Sequence, residues 1–333
     1  MDPAEALQRI AFLLEWNGAS TYRVRAFHTA ADAARALPPG AVDADRARRL
    51  RGVGPVTAEV IAEASAGRTP GYLAKLEEAA GPQARAGWDL LAAARGDCHL
   101  HSDWSDGGHP IEEMADAARA LGHHWAVLTD HSPRLTIAHG LSPERLRLQL
   151  DAVAAYNARA GDFRLLTGIE CDILEDGSLD QEPELLDRLD VVVASVHSKL
   201  RADRDPMTAR MVAAVREPRT NVLGHCTGRI VTGRGRPPSS FDAEAVFAAC
   251  AAAGTAVEIN CRPERRDPPD ELLALAVGAG CLFAVDTDAH APEQLHWLTS
   301  GYARAARFGL GAERLVTTWP RDRLLAWTDA RRG

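Results

Sequence analysis

The sequence predicts an α/β protein in which a closed barrel of parallel strands follows a small all-α domain. From Gly96 onward, short β-rich runs alternate with helical segments, an order typical of parallel strands joined by right-handed crossovers. Seven such runs favour a closed barrel over an open sheet. Before Gly96, apolar residues recur at helical spacing, and 333 residues are enough for about two domains.

The composition is that of a globular protein, with 46% hydrophobic and 25% charged residues and a formal net charge of -8. These values exclude disordered and collagen-like chains. The longest apolar runs, such as 191–196, are too short to cross a bilayer, and no export leader is recognisable, so we expect a cytoplasmic protein. Six cysteines without a Cys-x-x-Cys pair are expected to be free, buried thiols.

The first 82 residues are expected to be helical. Leu7, Ile10 and Leu14 form the apolar stripe of a first helix. Further helices are expected at 22–37, at about 44–50 and at 57–66. Pro38-Pro39-Gly40 ends the second of them.

Gly52-Val53-Gly54-Pro55 separates the last two helices, and this order is typical of a helix-hairpin-helix. Glycine permits a tight turn, and proline suits the first position of a helix. Backbone amides at such a turn can hold a phosphate, so the candidates for nucleic-acid binding are Arg48, Arg51, Gly52 and Gly54. The alternative is a plain helical corner with a solvated basic face.

A change of composition at Gly81-Pro82 predicts the domain boundary. We expect a helical domain over 1–82, a linker helix over 83–95 and the barrel over 96–333. Residues 1–90 contain 11 acidic and 11 basic residues, so the remainder, with 35 acidic and 27 basic residues, carries the whole net charge.

The seven expected strands each end in a short polar segment. They are 96–101, 125–129, 163–169, 191–196, 221–224, 255–259 and 282–285. Parallel α/β folds place their chemistry at the carboxyl ends of the strands. Nine residues with metal-binding side chains lie at or just beyond these ends: His99, His101, Asp106, His131, Glu170, His197, His225, Asp288 and His290.

Each of these nine residues has a structural alternative, since a lone histidine after a strand is commonly a hydrogen-bonded core residue. Nine such residues at corresponding positions along the strands favour a metal site instead. His99 and His101 are alternate residues of one strand, so their side chains face the same side. One ion cannot use nine ligands, so we expect two or three divalent ions, of zinc, manganese or iron. Asp130 is expected to orient His131, and Asp172 to ligate or orient.

Clustered divalent ions activate water and stabilise the oxygens of a phosphoryl displacement, so phosphoester hydrolysis is the leading reaction class. Amide hydrolysis of the amidohydrolase type is the alternative. Glu170, whose carboxylate can bridge two ions, and Asp288 are the candidate catalytic carboxylates.

Several motifs resemble those of the PHP (polymerase and histidinol phosphatase) family. They are Asp97-Cys98-His99-Leu100-His101-Ser102, Thr129-Asp130-His131-Ser132, Gly168-Ile169-Glu170-Cys171-Asp172, Ser195-Val196-His197-Ser198, Gly224-His225 and Asp286-Thr287-Asp288-Ala289-His290. The resemblance implies a distorted (βα)7 barrel that holds a trinuclear metal centre. It also implies that His99, His101, Glu170 and Asp288 hold one metal, and that Glu170 and His197 serve a second.

Within the family, there is a closer resemblance to the PHP domain of bacterial family X DNA polymerases. The segments that carry it are residues 131–134, 140–144 and 225–229. Residues 1–80 resemble their N-terminal lyase-type domain, in which a Schiff-base role for Lys75 is conceivable but an exposed helix residue is favoured. About 15 residues separate the two regions, so we expect no polymerisation. Arg134 and Arg229 are the candidate contacts to substrate phosphate.

Three functions remain open from the sequence. The first is a metal-dependent phosphoesterase at nucleic-acid 3′ ends, an exonuclease or 3′-phosphatase with a role in DNA repair, which binds DNA through its N-terminal domain. The second is a small-molecule phosphatase of the histidinol phosphate type. The third is a DNA-binding protein without enzymatic activity. A membrane partner is not expected.

Overall fold

A computed structural model describes residues 1–38 and 40–332 of the chain. They form two compact units, one of residues 1–92 with 302–307 and one of residues 93–301 with 308–333. The predicted domain limits at 82 and 96 stay a prediction. Among the described residues, no helix is long and apolar enough to cross a membrane. All six cysteines are buried and free within the same residues, which confirms the expectation for the thiols.

The first unit packs its helices around the apolar stripe predicted from the sequence. Its helices are α1 (Pro3–Trp16), α2 (Thr21–Arg35), α3 (Ala44–Ala47), α4 (Pro55–Ser65), α5 (Gly71–Ala79) and α6 (Pro82–Ala92). Leu7, Ile10 and Leu14 of α1 are buried in its core. The second helix ends two residues earlier than expected, and Pro39 of the expected stop signal lies outside the described residues.

The hairpin between α3 and α4 contains the two glycines on which the prediction depends. The third helix is shorter than expected, since it ends at Ala47. The chain then turns at Gly52, whose φ is +83°. A Cβ at Gly52 would lie 2.5 Å from Cγ2 of Thr29. Gly54 has an extended backbone with free space around it, and Pro55 opens α4 as expected.

We expect Gly52→Ala to lower the free energy of unfolding of the helical unit by about 2 kcal/mol. A side chain at this position meets both an unfavourable φ and a clash with Thr29. Gly54→Ala is the matched control, with a change below about 0.5 kcal/mol, because its φ of -96° suits any residue. Urea unfolding measures both, and an equal loss for the two variants would contradict this account of the turn.

The second unit is built on a parallel sheet, which in the described residues has six strands in the order β1 to β6. They are β1 (Trp125–Leu128), β2 (Arg164–Asp172), β3 (Val191–Ser195), β4 (Val222–Leu223), β5 (Ala256–Asn260) and β6 (Phe283–Asp286). Every neighbouring pair is parallel, as predicted. Since the strands are buried on both faces, the curled sheet agrees with a distorted barrel.

The expected first strand, 96–101, is not a full strand, and this part of the prediction was wrong. Leu100 alone forms parallel bridges, to Leu128 at the end of β1 and to Ala289 beyond β6. Along this segment, side chains replace part of the backbone ladder: the amide of Cys98 donates to the Asp286 carboxylate at 2.7 Å. The segment nevertheless connects both edges of the sheet at its carboxyl end.

Helices of the second unit cover the outside of the sheet. They are α7 (Ile111–Ala120), α8 (Pro143–Asn157), α9 (Pro183–Leu186), α10 (Arg204–Arg216), α11 (Ala243–Ala253), α12 (Asp270–Gly278) and α14 (Arg321–Arg332). The remaining helix, α13 (Leu298–Arg307), belongs to the first unit through its residues 302–307. Because α8, α10, α11 and α12 each lie between two successive parallel strands, the carboxyl ends of these strands lie at one edge.

Candidate metal centre

All nine predicted ligands come together at the carboxyl edge of the sheet. His99 and His101 flank the bridging Leu100, and Glu170 in β2 forms a bridge with His131. His290 lies four residues past the end of β6. Three other ligands, after β3, β4 and β6, lie two residues past the last strand residue, because a parallel strand delivers its next loop to the same edge. They are His197, His225 and Asp288.

Glu170 is the centre of the cluster, with a side chain only 1% exposed. Five imidazole nitrogens surround its two oxygens. They are those of His225 (Nε2, 2.7 Å), His131 (Nδ1, 3.0 Å), His99 (Nε2, 3.2 Å), His197 (Nε2, 3.2 Å) and His101 (Nε2, 3.5 Å). A carboxylate with imidazoles at both oxygens fits the bridging role expected from the sequence.

Asp106 is the centre of a second group of contacts. Its Oδ1 lies 3.4 Å from Nε2 of His131 and 3.4 Å from Nε2 of His290. Asp288 approaches His101 from the other side, with Oδ1 3.5 Å from Nε2. His131 also contacts Glu170, so it belongs both to the group around Glu170 and to the group around Asp106.

The unsatisfied atoms of the cluster have the donor chemistry of a metal site. Among the described residues, buried nitrogens of His99, His101, His131 and His197 have no hydrogen-bond partner, nor has Oε2 of Glu170. Buried polar atoms are rarely left without a partner, so a convergent set of them with these donor types fits a metal-binding site. In that same part of the chain, three groups place ligand atoms within 4.8 Å of one another: His99–His101–Glu170, His131–Glu170–His197 and His101–Asp106–His131–His290.

Further carboxylates orient the ligands from behind. Nδ1 of His99 lies 2.5 Å from Oε1 of Glu258, and Nδ1 of His197 is hydrogen-bonded to Asp172. Such bonds fix the ring and leave Nε2 for the metal. The sequence reasoning missed Glu258, although a carboxylate inside the apolar run of β5 is a signal that could have revealed it.

Asp130 has a different role from the expected one. Its carboxylate does not orient His131 but accepts hydrogen bonds from the hydroxyls of Ser102 (2.6 Å) and Ser105 (2.5 Å) and from Nε2 of Gln149 (2.6 Å). It therefore shapes the turn that leads to Asp106.

We expect Glu258→Gln to lower the metal affinity of the site by about 10- to 100-fold. The amide keeps the volume but loses the charge that holds His99, and it also weakens the bond from the His225 amide at 2.5 Å. Titration with a chromogenic chelator measures the affinity. The control is Glu271→Gln, at an exposed position of α12, and an equal affinity of the two variants would contradict the positioning role.

Burial and the charges within the cluster shift the pKa values of its side chains. Burial favours the neutral carboxyl, but the surrounding imidazoles, His99 foremost, hold the pKa of Glu170 well below its usual range. Burial opposes the charged form of His131, yet Glu170 and Asp106 raise its pKa to about 10. Burial and the neighbouring His290 lower the pKa of His101 to about 3. Glu170 is thus ionised and His101 neutral, which are the forms that bind metals, whereas a metal would have to displace a proton from His131.

A pocket of about 490 Å³, here named the metal pocket, opens onto the cluster of predicted ligands. Asp106, His131 and His290 are among the residues that line it. Two arginines that the sequence analysis did not select line it. Nε of Arg265 lies 3.0 Å from Oδ2 of Asp288, and Nη1 of Arg262 lies 3.4 Å from Oδ1. Both follow β5 in a loop without a predicted ligand, so no spacing signal marked them.

The two arginines predicted to contact phosphate do not line this pocket. The side chain of Arg134 is 70% exposed and pairs with Asp180, with Nε 3.4 Å from Oδ1. Nε of Arg229 donates to the carbonyl of Arg265 at 3.0 Å. The structure therefore brings Arg262 and Arg265, and not these two, to the metal cluster.

The candidate nucleic-acid residues lie together in the first unit. Arg48 and Arg51 are exposed beside the turn of Gly52 and Gly54. Both glycines line a pocket of about 580 Å³ that Arg23 and Lys75 also line. Lys75 is exposed on α5, as favoured from the sequence.

Two protein-family models match the chain. Residues 1–69 match a helix-hairpin-helix domain and residues 97–262 match a PHP domain. The DNA polymerase/3′-5′ exonuclease PolX of Bacillus subtilis is 36% identical over 217 residues, which cover 65% of this chain and 38% of that protein. A probable phosphatase of Syntrophotalea carbinolica is 31% identical over 175 residues, or 49% of this chain and 64% of that protein. The chain thus spans less than two thirds of the length of either relative.

Solved structures of two phosphatases superpose on part of the chain. Histidinol phosphate phosphatase from Lactococcus lactis, solved with zinc, L-histidinol and phosphate, has a TM-score of 0.48 at 19% identity, covering 66% of this chain and 95% of that one. A histidinol phosphatase described from Listeria monocytogenes has a TM-score of 0.46 at 17% identity, covering 60% and 97%.

Proposed function

Because the chain belongs to the PHP domain family, we propose that it is a metal-dependent phosphoester hydrolase that acts on the 3′ ends of nucleic acids. The observation that carries the proposal is the convergence of nine imidazole and carboxylate side chains, several with unsatisfied buried atoms, together with a pocket that five of the nine line. A structural metal site would not need an open pocket above it.

The ligand set supports two or three divalent ions, of zinc, manganese or iron. Imidazole and carboxylate ligands suit all three metals. His99, His101, Glu170 and Asp288 would hold one ion, Glu170 and His197 a second, and Asp106, His131, His225 and His290 would be shared between the second and a third. Bound there, the ions would supply a hydroxide nucleophile near neutral pH and Lewis-acid stabilisation of the phosphoryl oxygens.

The protein side chains bind and orient the substrate at this centre. Arg262 and Arg265 are the cations of the pocket, and a guanidinium can donate two parallel hydrogen bonds to a phosphate. Asp288 holds Arg265 at 3.0 Å, so the guanidinium is fixed before substrate arrives. Glu258 and Asp172 keep His99 and His197 in orientation, which limits reorganisation during the displacement.

The helical domain favours a polynucleotide as substrate. Its hairpin presents exposed arginines and N-terminal amides of α4, which are groups that bind backbone phosphates. The similarity to a polymerase with 3′-5′ exonuclease in its name supports the same choice, and with it a role in DNA repair. We place the protein in the cytoplasm, where free buried thiols are usual.

A substrate panel tests the proposal. We expect the protein loaded with manganese or zinc to release nucleotide or phosphate from a 3′-labelled oligonucleotide, faster than it releases phosphate from histidinol phosphate. Turnover of histidinol phosphate alone would favour the small-molecule phosphatase instead. Binding of the oligonucleotide without any hydrolysis would favour the non-enzymatic DNA-binding protein.

A further inference from the structure

The loops at the carboxyl edge of the sheet differ strongly in charge. The loops after β3, β4 and β5, residues 197–203, 225–241 and 261–269, carry eight arginine or lysine residues against three acidic ones. The loop after β2, residues 173–182, carries four acidic residues and no basic one. Since β3, β4 and β5 are neighbours in the sheet, the positive charge is concentrated on one side of the metal cluster.

The three basic loops are joined by direct contacts. The amide of Val231 donates to the carbonyl of Glu264 at 2.7 Å. Gly228 lies so close to Leu200 that a Cβ there would be 2.7 Å from Cδ2 of that side chain. Residues 199–201, 228–236 and 262–266 therefore form one surface, here named the basic wall. Ile230 and Glu264 of the wall line the metal pocket, so the wall continues into the site.

The cations of the wall fall into three groups. Arg229 and Arg236 donate to backbone carbonyls and so brace the wall itself. Arg262 and Arg265 lie in the pocket beside Asp288. The remaining side chains are exposed, and in the part of the chain that the structure describes they make no ion pair or side-chain hydrogen bond; they are Lys199, Arg201, Arg234 and Arg266.

Unpaired cations of this kind repel one another unless an anion covers them. A chain of phosphates is the ligand that matches a continuous wall of arginine and lysine, because each neutralised phosphate releases counterions. The pocket of about 490 Å³ at the inner end of the wall has the size of a small-molecule site, which suits one terminal nucleotide better than a duplex.

We propose that the basic wall binds the sugar-phosphate backbone of a single-stranded polynucleotide whose terminal phosphodiester reaches the metal cluster. The inference rests on the proposed phosphoester hydrolase function and adds to it a polymer-binding surface next to the metal centre. This surface differs from the hairpin of the helical domain. Selection of a polynucleotide over a small phosphomonoester then depends in part on the wall.

The test compares two triple variants of the full chain. The wall variant is Lys199→Gln with Arg201→Gln and Arg234→Gln. The control variant is Arg164→Gln with Arg188→Gln and Arg216→Gln, at exposed positions on the other edge of the sheet. The substrate is a 3′-labelled single strand of about six nucleotides, close to the length that one small binding domain covers.

For the wall variant we expect the KM for this strand to rise about tenfold at low salt, and the slope of log affinity against log salt to fall by about 2. The control variant should match the wild type in both. A wall variant that equals the control at every salt concentration would overturn the inference.

Binding separates this inference from the proposed function. Fluorescence anisotropy with a labelled phosphorothioate strand measures affinity without hydrolysis. If the wild type hydrolyses no phosphoester but the wall variant alone binds the strand more weakly, the hydrolase proposal fails and the wall stands. If hydrolysis occurs and both variants bind equally, the wall fails and the hydrolase stands. Competition by a duplex as strong as that by the single strand would also overturn the inference.

Discussion

Glu170→Gln is expected to lower phosphoester hydrolysis by at least about 10³-fold and to reduce the metal content of the purified protein. The substitution keeps the shape of a side chain that is 1% exposed but removes the negative charge that five imidazoles surround. An uncharged amide is a weak ligand for a divalent ion, so the nucleophile and the charge stabilisation that bound metal would supply should both be lost.

The control for this variant is Glu184→Gln, an exposed carboxylate on α9. The metal content per chain is measured by plasma mass spectrometry. Turnover is measured with a 3′-labelled oligonucleotide, and folding is checked by circular dichroism. A folded Glu170→Gln variant that keeps full metal and full turnover would contradict the central position of Glu170.

Charge reversal in the hairpin is expected to have the second largest effect. Arg48→Glu with Arg51→Glu should raise the KM for an oligonucleotide of about 20 nucleotides by about 10²-fold at low salt, because two arginines proposed to bind phosphates would be replaced by groups that repel them. The effect should fall as salt rises, since screening weakens both attraction and repulsion. The kcat at saturation should change little, because neither residue lies in the metal pocket.

Arg25→Glu with Arg85→Glu carries the same charge change on exposed positions of α2 and α6, outside the hairpin. We expect this control to raise the KM by less than about threefold, since only the overall charge changes. If both double variants raise the KM for the oligonucleotide equally, the hairpin has no specific role and the effect is one of net charge.

The ligand set was predictable from the sequence because a parallel sheet converts order along the chain into proximity. Each strand delivers its next loop to the same edge, so His197, His225 and Asp288 could be placed together without coordinates. The helical hairpin was predictable for a similar reason, since glycine at a turn and proline at a helix start have local causes.

Other features depend on contacts that spacing does not reveal. A carboxylate inside the apolar run of β5 could have marked Glu258 as unusual, but the sequence does not show that its partner is Nδ1 of His99, 159 residues away. Arg134 and Arg229 lie three and four residues after predicted ligands, where a phosphate-binding arginine is plausible from the sequence, but they contact Asp180 and the carbonyl of Arg265 instead. The first expected strand lost its regular ladder because the carboxylate of Asp286 takes one of its amides.

The most direct test of the account is the release of the terminal nucleotide from a 3′-labelled single strand by purified protein, with and without a chelator. We predict release of labelled nucleotide or phosphate in the presence of manganese or zinc, complete loss with the chelator, and recovery when metal is returned. Release that continues unchanged after the metals have been removed, or no release under any metal, would contradict a metal-dependent phosphoesterase acting at nucleic-acid ends.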